Sequence, residues 1–141
     1  MRIAKTLSLG ALVFLSNAAW SETLLSCGAS KGQGFFFKHS RWNPNGPEWA
    51  SDAISNGKII LKLVDDRYDI AFDDIVGSHS YRADGAELIK LAENDQLATF
   101  GVFHPNYTDV YTFDFVDKHV AWSSHKIGFI PKASTYYASC D

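Results

Sequence analysis

"KIILKLVDDRYDIAFDD", residues 58–74, contains two runs of alternating apolar and polar side chains, separated by a short acidic turn. A period of two places every second side chain on the same face of a β-strand. One face of each run is therefore apolar, and these faces consist of Ile59, Leu61, Leu63, Tyr68, Ile70 and Phe72. The stretch predicts two antiparallel strands joined by a turn at Asp65, Asp66 and Arg67.

Similar short runs follow one another along the chain, with turn residues about every 8–12 positions between them. They predict about eight or nine strands, and the short turns make strands that are neighbours in sequence pair side by side. We therefore predict an all-β fold, an antiparallel meander of about eight strands closed into a small barrel, because closure removes exposed edges. A β-sandwich is the alternative. Further runs are TLLSC, GFFFK, AELIKLAEN, QLATFGVFH, DVYTFDFVD, HVAWSSHK and STYYASC.

One segment, residues 41–58, lacks the alternating pattern. Pro47 suits the first position of a helix, and Asn56 and Gly57 together form a stop signal. We predict a short helix near residues 47–55 that plugs one end of the barrel.

The first residues have the layout of a secretory signal peptide, with basic Arg2 and Lys5, an apolar run and a small-residue cleavage site. We predict a cleaved leader of residues 1–21 and a single exported domain of residues 22–141, either secreted or periplasmic. The apolar run is shorter than the roughly 20 residues that a membrane-spanning helix needs. No later stretch is longer, so we expect no transmembrane segment.

Removing the leader changes the formal net charge from −3 to −5, because the leader contains two basic residues and no acidic one. An acidic chain does not suit nucleic acid or an anionic membrane surface, both of which favour basic patches. It does suit a basic protein partner. The densest run of acidic residues, within residues 65–74, is predicted to be a turn and a solvated strand face.

Cys27 and Cys140 are the two cysteines of the chain and lie at opposite ends of the exported domain. In an oxidising compartment we expect them to form a disulfide. That bond requires Cα atoms within about 7 Å of each other, which fits a barrel whose first and last strands are neighbours. The sequence LLSC, ending at Cys27, also resembles a bacterial lipobox, so a lipoprotein anchored at Cys27 is the alternative.

Motifs for catalysis and metal binding are missing from the sequence. The histidines form no HxH or HExxH pattern, and no GxSxG turn is present. We expect no cofactor, no metal and no enzymatic activity; the alternative is a hydrolase whose residues assemble only in space. The histidines are His39, His79, His104, His119 and His125.

Aromatic side chains supply the clearest sign of a binding surface. Three consecutive phenylalanines cannot all face the core, because neighbours in a strand point to opposite sides, and the same holds for two consecutive tyrosines near the end of the chain. We predict that these residues bind a small apolar ligand or a protein partner. The candidate surface comprises Phe35, Phe36, Phe37, Trp49, Tyr136 and Tyr137.

Export, about 120 residues, a meander and linked chain ends resemble two groups of small β-barrels. One is the lipocalin-like proteins, and this resemblance implies a small apolar ligand. The other is the periplasmic inhibitors of C-type lysozyme, in which an SGARY-like segment enters the lysozyme cleft. The segment ADGAEL, residues 83–88, keeps Gly85 and Ala86 of that motif. This resemblance implies that Asp84 and Gly85 form a loop that contacts a basic hydrolase.

Overall fold

The computed structural model describes residues 19–74 and 77–141. These residues form eleven strands and no helix, and the all-β prediction is confirmed. No helix long and apolar enough to cross a membrane occurs in this part of the chain. The strands are β1 (Ser21–Cys27), β2 (Lys31–Phe36), β3 (Glu48–Ser51), β4 (Lys58–Val64), β5 (Arg67–Asp74), β6 (Gly77–Ser80), β7 (Glu87–Glu93), β8 (Leu97–His104), β9 (Tyr107–Asp114), β10 (His119–Lys126) and β11 (Lys132–Ser139).

The predicted signal peptide, residues 1–21, lies outside the described residues except for its last three. Of these, Ser21 is the first residue of β1. The leader and its cleavage site therefore stay predictions.

The strands form two antiparallel sheets arranged like a sandwich. The smaller sheet has the order β1-β4-β5-β6, and the larger has the order β3-β2-β11-β10-β9-β8-β7. The prediction of a closed barrel is wrong, because no backbone ladder joins the β6 edge of the smaller sheet to the β7 edge of the larger one among the described residues. The alternative, two packed sheets, describes the architecture better.

The strand pair and turn predicted at residues 58–74 are confirmed as the hairpin of β4 and β5. The two strands pair from Lys58 opposite Asp73 to Val64 opposite Arg67. The central turn residues, Asp65 and Asp66, both have positive φ angles, 49° and 62°. Two positive φ values in a two-residue loop match the twist of the flanking strands, which is why short acidic residues are tolerated there.

The Arg82 side chain forms hydrogen bonds between the open edges of the two sheets. Its Nε donates to the carbonyl of Tyr68 in β5 at 2.7 Å, and its Nη2 donates to the carbonyl of Leu88 in β7 at 3.1 Å. Arg82 lies in the turn of residues 81–85, which leads from one sheet to the other and contains Gly85 at a φ of +84°. β6 and β7 lie at the edges of different sheets and do not pair with each other. The Arg82 guanidinium supplies two hydrogen bonds across this gap in place of a backbone ladder.

At the other edge the sheets are joined by the chain itself and by the disulfide. β1 belongs to the smaller sheet, whereas β2, which follows after three residues, pairs with β11 in the larger. The predicted disulfide between Cys27 and Cys140 is confirmed, with Cα atoms 3.8 Å apart. Backbone hydrogen bonds from Gly28 to Ser139 and from Asp141 to Ser26 flank it. The first and last strands meet only at these ends.

The predicted plug helix near residues 47–55 is wrong, because this segment contains the edge strand β3. Trp49 pairs with Phe35 of β2, and an isolated bridge between Ser30 and Ile54 extends the contact. A helix of about two turns is unstable by itself. The free edge of β2 offers backbone partners that such a helix would lack.

The core lies between the sheets. Its largest completely buried side chains come from both, Leu25, Leu61 and Ile70 from the smaller sheet and Phe100 and Phe113 from the larger. Burial of each such side chain contributes roughly 1.5–3 kcal/mol. These contacts hold the sheets together between the disulfide and Arg82.

Replacing both cysteines by serine, Cys27→Ser with Cys140→Ser, is expected to lower the free energy of unfolding by roughly 4–5 kcal/mol, because the bond closes a loop with a sequence separation of 113. Urea unfolding of the oxidised protein and the double variant measures this difference. The reduced wild type is the control and should match the variant. Equal midpoints for oxidised and reduced protein would show that the disulfide does not stabilise the fold.

Arg82→Met keeps the apolar stem but removes both hydrogen bonds across the open edge, so we expect a loss of about 1–3 kcal/mol. Faster amide hydrogen exchange should be confined to β7 and the turn before it. Arg67→Met, at the exposed start of β5, is the matched control and should change little. Equal effects of the two substitutions would contradict a bridging role for Arg82.

Candidate functional site

Three adjacent strands, β9, β10 and β11, carry the same order of side chains on their inner faces. Starting from the end near the disulfide, each presents an apolar residue, then an aromatic residue, then a polar residue. Because β10 pairs in register with both neighbours, these side chains form three rows across the sheet. The apolar row is Phe113, Val120 and Ala138, the aromatic row is Tyr111, Trp122 and Tyr136, and the polar row is Asp109, Ser124 and Ser134; all nine are buried.

The aromatic row is a stack of parallel rings. The ring centroids of Tyr111 and Trp122 are 5.3 Å apart, and those of Trp122 and Tyr136 are 4.8 Å apart, with interplanar angles of 13° and 21°. Stacked aromatic pairs contribute about 0.5–1.5 kcal/mol beyond area burial. On the neighbouring strand β2, a side chain at Gly32 would overlap the ring of Tyr136, so only glycine leaves room for the stack.

A cavity of about 340 Å³ lies beside the aromatic row, between the two sheets. One wall is formed by the aromatic row together with part of the polar row, and the opposite wall comes from β4, β5 and β6. The volume lies within the range of small-molecule sites, about 300–1,000 Å³. The lining residues are Gly28, Ser30, Ile54, Gly57, Lys58, Ile59, Phe72, Asp73, Asp74, His79, Tyr81, Asp84, Tyr107, Asp109, Tyr111, Trp122, Ser124, Lys126 and Tyr136.

Two tyrosines and one aspartate form a hydrogen-bonded chain in the cavity wall. The Tyr81 hydroxyl donates to Oδ2 of Asp109 at 2.5 Å and lies 2.6 Å from the Tyr111 hydroxyl. A carboxylate only accepts, so the single hydroxyl proton of Tyr81 is used there. Tyr111 must therefore donate to Tyr81, and the chain runs from Tyr111 through Tyr81 to Asp109.

Both phenols of this chain stay protonated. Burial raises the pKa of Tyr81 well above its ordinary value, and the neighbouring Tyr111 and Asp109 raise it further. Burial and the Asp109 carboxylate likewise raise the pKa of Tyr111 well above 10.0. The two hydroxyls are therefore fixed as hydrogen-bond donors at neutral pH.

Three buried polar atoms around the cavity have no hydrogen-bond partner within residues 19–74 and 77–141. They are Oγ of Ser30, Oγ of Ser124 and Oδ1 of Asp109. These residues are only 4%, 2% and 3% exposed, and all three line the cavity. An unpaired buried polar group costs about 1–3 kcal/mol, and such groups are rare in folded proteins. Their convergence on one cavity marks it as the candidate site.

The rim of the cavity carries further ionisable groups. The Tyr107 hydroxyl donates to Oδ2 of Asp84 at 3.4 Å. Burial, with the nearby Asp84 and Asp109, raises the pKa of Tyr107 to about 12. Nε2 of His79 lies 3.6 Å from Oδ2 of Asp74. The predicted contact residue Asp84 is thus exposed at the cavity rim, next to Gly85.

Another carboxylate, half-buried Asp52, accepts three hydrogen bonds at one oxygen. Its Oδ2 accepts from Nζ of Lys132 at 2.5 Å, from Oγ of Ser134 at 2.7 Å and from the hydroxyl of Tyr136 at 2.5 Å. All three donors come from the inner face of β11. Burial opposes ionisation, but hydrogen bonds from Lys132, Tyr136 and Ser134 outweigh it and lower the pKa of Asp52. This cluster fastens the segment after β3 to β11.

The residues of the predicted binding surface are divided between the two sides of the larger sheet. On the outer side, Phe35 contacts Phe37 and Trp49, with centroid distances of 5.2 and 5.4 Å, and Trp49 is 69% exposed. Tyr137 is exposed on the outer face of β11. Tyr136 is buried in the cavity wall.

Phe36, the remaining residue of that surface, is half-buried, and the Lys132 ammonium lies 5.5 Å from its ring centroid. The predicted aromatic surface thus contains one residue of the cavity, Tyr136, and an outer aromatic cluster of Phe35, Phe37 and Trp49.

Three histidines make close polar contacts in the described part of the chain, and they are His39, His79 and His104. His79 approaches Asp74, but no hydrogen bond joins it to a serine or tyrosine hydroxyl within that part. Nδ1 of His39 and Nδ1 of His104 accept from nearby backbone amides. No group of three or more histidine, cysteine, aspartate or glutamate side chains is placed to hold a metal ion among these residues.

The sequence reasoning missed Asp109, Ser124 and Tyr81 as site residues. The sequence did contain a signal for Asp109. In DVYTFDF, residues 109–115, Tyr111 and Phe113 lie on the apolar face, and Asp109, two residues before Tyr111, lies on the same face. A charged residue at an inward position of an apolar strand face breaks the pattern, and such breaks concentrate at functional sites.

The chain matches no protein-family model, and neither a curated protein nor a solved structure is detectably similar to it.

Asp52→Asn is expected to lower stability by about 2 kcal/mol at pH 7, because the charged acceptor of three hydrogen bonds is lost. The lowered pKa of Asp52 means that its contribution is present above the ordinary value of 3.8 and is lost as pH falls through the folded-state value. Wild type should therefore lose more stability between pH 5 and pH 2 than the variant does. Glu48→Gln, an exposed change on β3, is the control and should follow the wild-type profile. Unfolding in urea across this range measures the difference, and parallel profiles for wild type and Asp52→Asn would contradict the assignment.

Proposed function

We propose that this protein is a non-enzymatic, secreted or periplasmic small-molecule-binding protein whose ligand occupies the cavity between the two sheets. The convergence of three unpaired buried polar atoms on a cavity lined by an aromatic stack supports this proposal most directly. Binding restores the hydrogen bonds that the fold leaves unmade.

The lining determines what kind of molecule fits. The aromatic row favours a flat or ring-shaped apolar body, which buries ring surface on binding. Asp109, Ser30 and Ser124 require a polar group at the same depth. The ligand is therefore small and amphipathic, more polar than the apolar ligand that the lipocalin-like resemblance implies.

A protein partner is the second candidate function. Trp49 packs against Phe35 and is 69% exposed, and Asp84 is exposed at the cavity rim. Exposed aromatic clusters mark interaction surfaces. The role of Asp84 and Gly85 in inhibiting a lysozyme-type hydrolase belongs to this alternative.

Ser124→Leu is expected to fill the cavity from β10 and abolish ligand binding while the fold is retained. Ser123→Leu, one residue away on the outer face of the same strand, is the matched control and should bind as the wild type does. Native mass spectrometry of protein purified from its own compartment should show a retained small molecule in wild type and in Ser123→Leu, but not in Ser124→Leu. The same ligand, at about 100 times its Kd, should stabilise wild type by about 2.7 kcal/mol.

Near-ultraviolet circular dichroism checks that both variants are folded. Protein that is repeatedly free of ligand, and that no small aromatic compound stabilises, would end the cavity proposal. A retained protein in place of a small molecule would favour the second candidate function.

A further inference from the structure

We propose that the cavity selects an organic cation, a protonated amine attached to a flat ring, whose N–H groups donate to Asp109. This inference rests on the proposed small-molecule function and names its ligand class. Its basis is the hydrogen-bonding state of the Asp109 carboxylate and the charges around the cavity.

The Asp109 side chain is deeply buried but has an incomplete set of hydrogen bonds. Asp109 is 3% exposed, its Oδ2 is occupied by Tyr81, and its Oδ1 has no partner in residues 19–74 and 77–141. A carboxylate oxygen can only accept a hydrogen bond. The protons of Tyr81 and Tyr111 are already committed to the chain that ends at Asp109. The Ser124 hydroxyl, opposite Asp109 in the register, makes no hydrogen bond to it in this structure. A ligand that brings its own donor can therefore complete the hydrogen bonds of Oδ1.

The charged side chains around the cavity favour a cationic ligand. No salt bridge to Asp109 occurs in the described part of the chain, whereas the half-buried carboxylate Asp52 has Lys132 at 2.5 Å. A desolvated carboxylate without a counter-charge is costly, and a charged donor offsets that cost better than a neutral one. The groups lining the cavity reinforce this preference, with four carboxylates against two ammonium groups and one histidine. They are Asp73, Asp74, Asp84, Asp109, Lys58, Lys126 and His79.

The aromatic side chains of the cavity favour a ligand with a flat ring. Below the polar row, the cavity is lined by the Tyr111, Trp122 and Tyr136 rings, and also by Phe72 of β5 and by Tyr81 of the turn after β6. Aromatic surroundings also stabilise a cation near their ring faces. An ammonium on a short linker, attached to one or two fused rings, places its charge at Asp109 and its ring against the stack.

Three probes that share an indole ring and differ only in the terminal group test the inference by isothermal titration calorimetry. They are tryptamine, which is cationic; tryptophol, which is a neutral donor; and indole-3-acetate, which is anionic. Wild type should bind tryptamine at least tenfold more tightly than tryptophol and should bind indole-3-acetate weakest. Equal affinity for tryptamine and tryptophol, or tighter binding of the anion, would overturn the selection of a cation.

Asp109→Asn keeps the shape of the side chain and an acceptor for Tyr81, but removes the charge. We expect tryptamine affinity to fall between tenfold and a hundredfold, with little change for tryptophol. Asp117→Asn, an exposed change in the turn between β9 and β10 that lies outside the cavity lining, is the matched control and should change the tryptamine affinity less than threefold. An Asp109→Asn protein that keeps the wild-type preference for tryptamine would overturn the role of Asp109. If that variant does not fold, the wild-type order of the three probes still decides the selection.

The outcomes separate this inference from the proposal on which it rests. A neutral or anionic molecule retained in the wild-type cavity would leave small-molecule binding intact and overturn the cation. A retained amine, together with tighter binding of tryptamine than of tryptophol, would support both. Protein that retains nothing and binds none of the three probes would count against both.

Discussion

β10 is hydrogen-bonded along its whole length to β9 on one side and to β11 on the other, with eight residue pairs on each side. This uninterrupted register is the constraint on which the rest of the structure depends. Because side chains alternate between faces, a shift of one residue in either pairing would turn Trp122 or its neighbours to the outside. It would also separate Asp109 from Ser124, which are on the same row. The apolar, aromatic and polar rows exist only while all three strands hold this alignment.

Two devices of different chemistry hold the smaller sheet against the larger one. At one edge the covalent Cys27–Cys140 bond joins the ends of β1 and β11, and at the other edge Arg82 hydrogen-bonds to carbonyls of β5 and β7. Neither device is a continuous ladder. The apolar row fills the space near the disulfide, whereas smaller and more polar side chains occupy the other end. The cavity lies at this polar end, where side chains do not fill the space between the two sheets.

Two carboxylates beside the larger sheet, half-buried Asp52 and buried Asp109, have different surroundings and therefore different roles. Asp52 accepts three hydrogen bonds, one from the ammonium of Lys132, and so joins the segment after β3 to β11. Asp109 accepts one from Tyr81 and keeps an oxygen free. The first carboxylate is satisfied within the fold and stabilises it. Oδ1 of the second has no partner among the described residues, and this is the physical reason for assigning it to ligand binding.

The sequence by itself determined the features that depend on local periodicity and on simple chemistry. Alternation predicted the β4 and β5 hairpin and its turn at Asp65 and Asp66, and two cysteines in a chain expected to be exported predicted their disulfide. The opposite orientations of Tyr136 and Tyr137 followed from alternation as well. Only the tertiary structure decided the open edge at Arg82, the strand β3 in place of a helix, and the site around Asp109. These features depend on which distant backbone edge or side chain is free to pair. The Tyr81 hydroxyl, from the turn after β6, binds Asp109 at a sequence separation of 28, and local sequence patterns do not reveal a contact between residues so far apart.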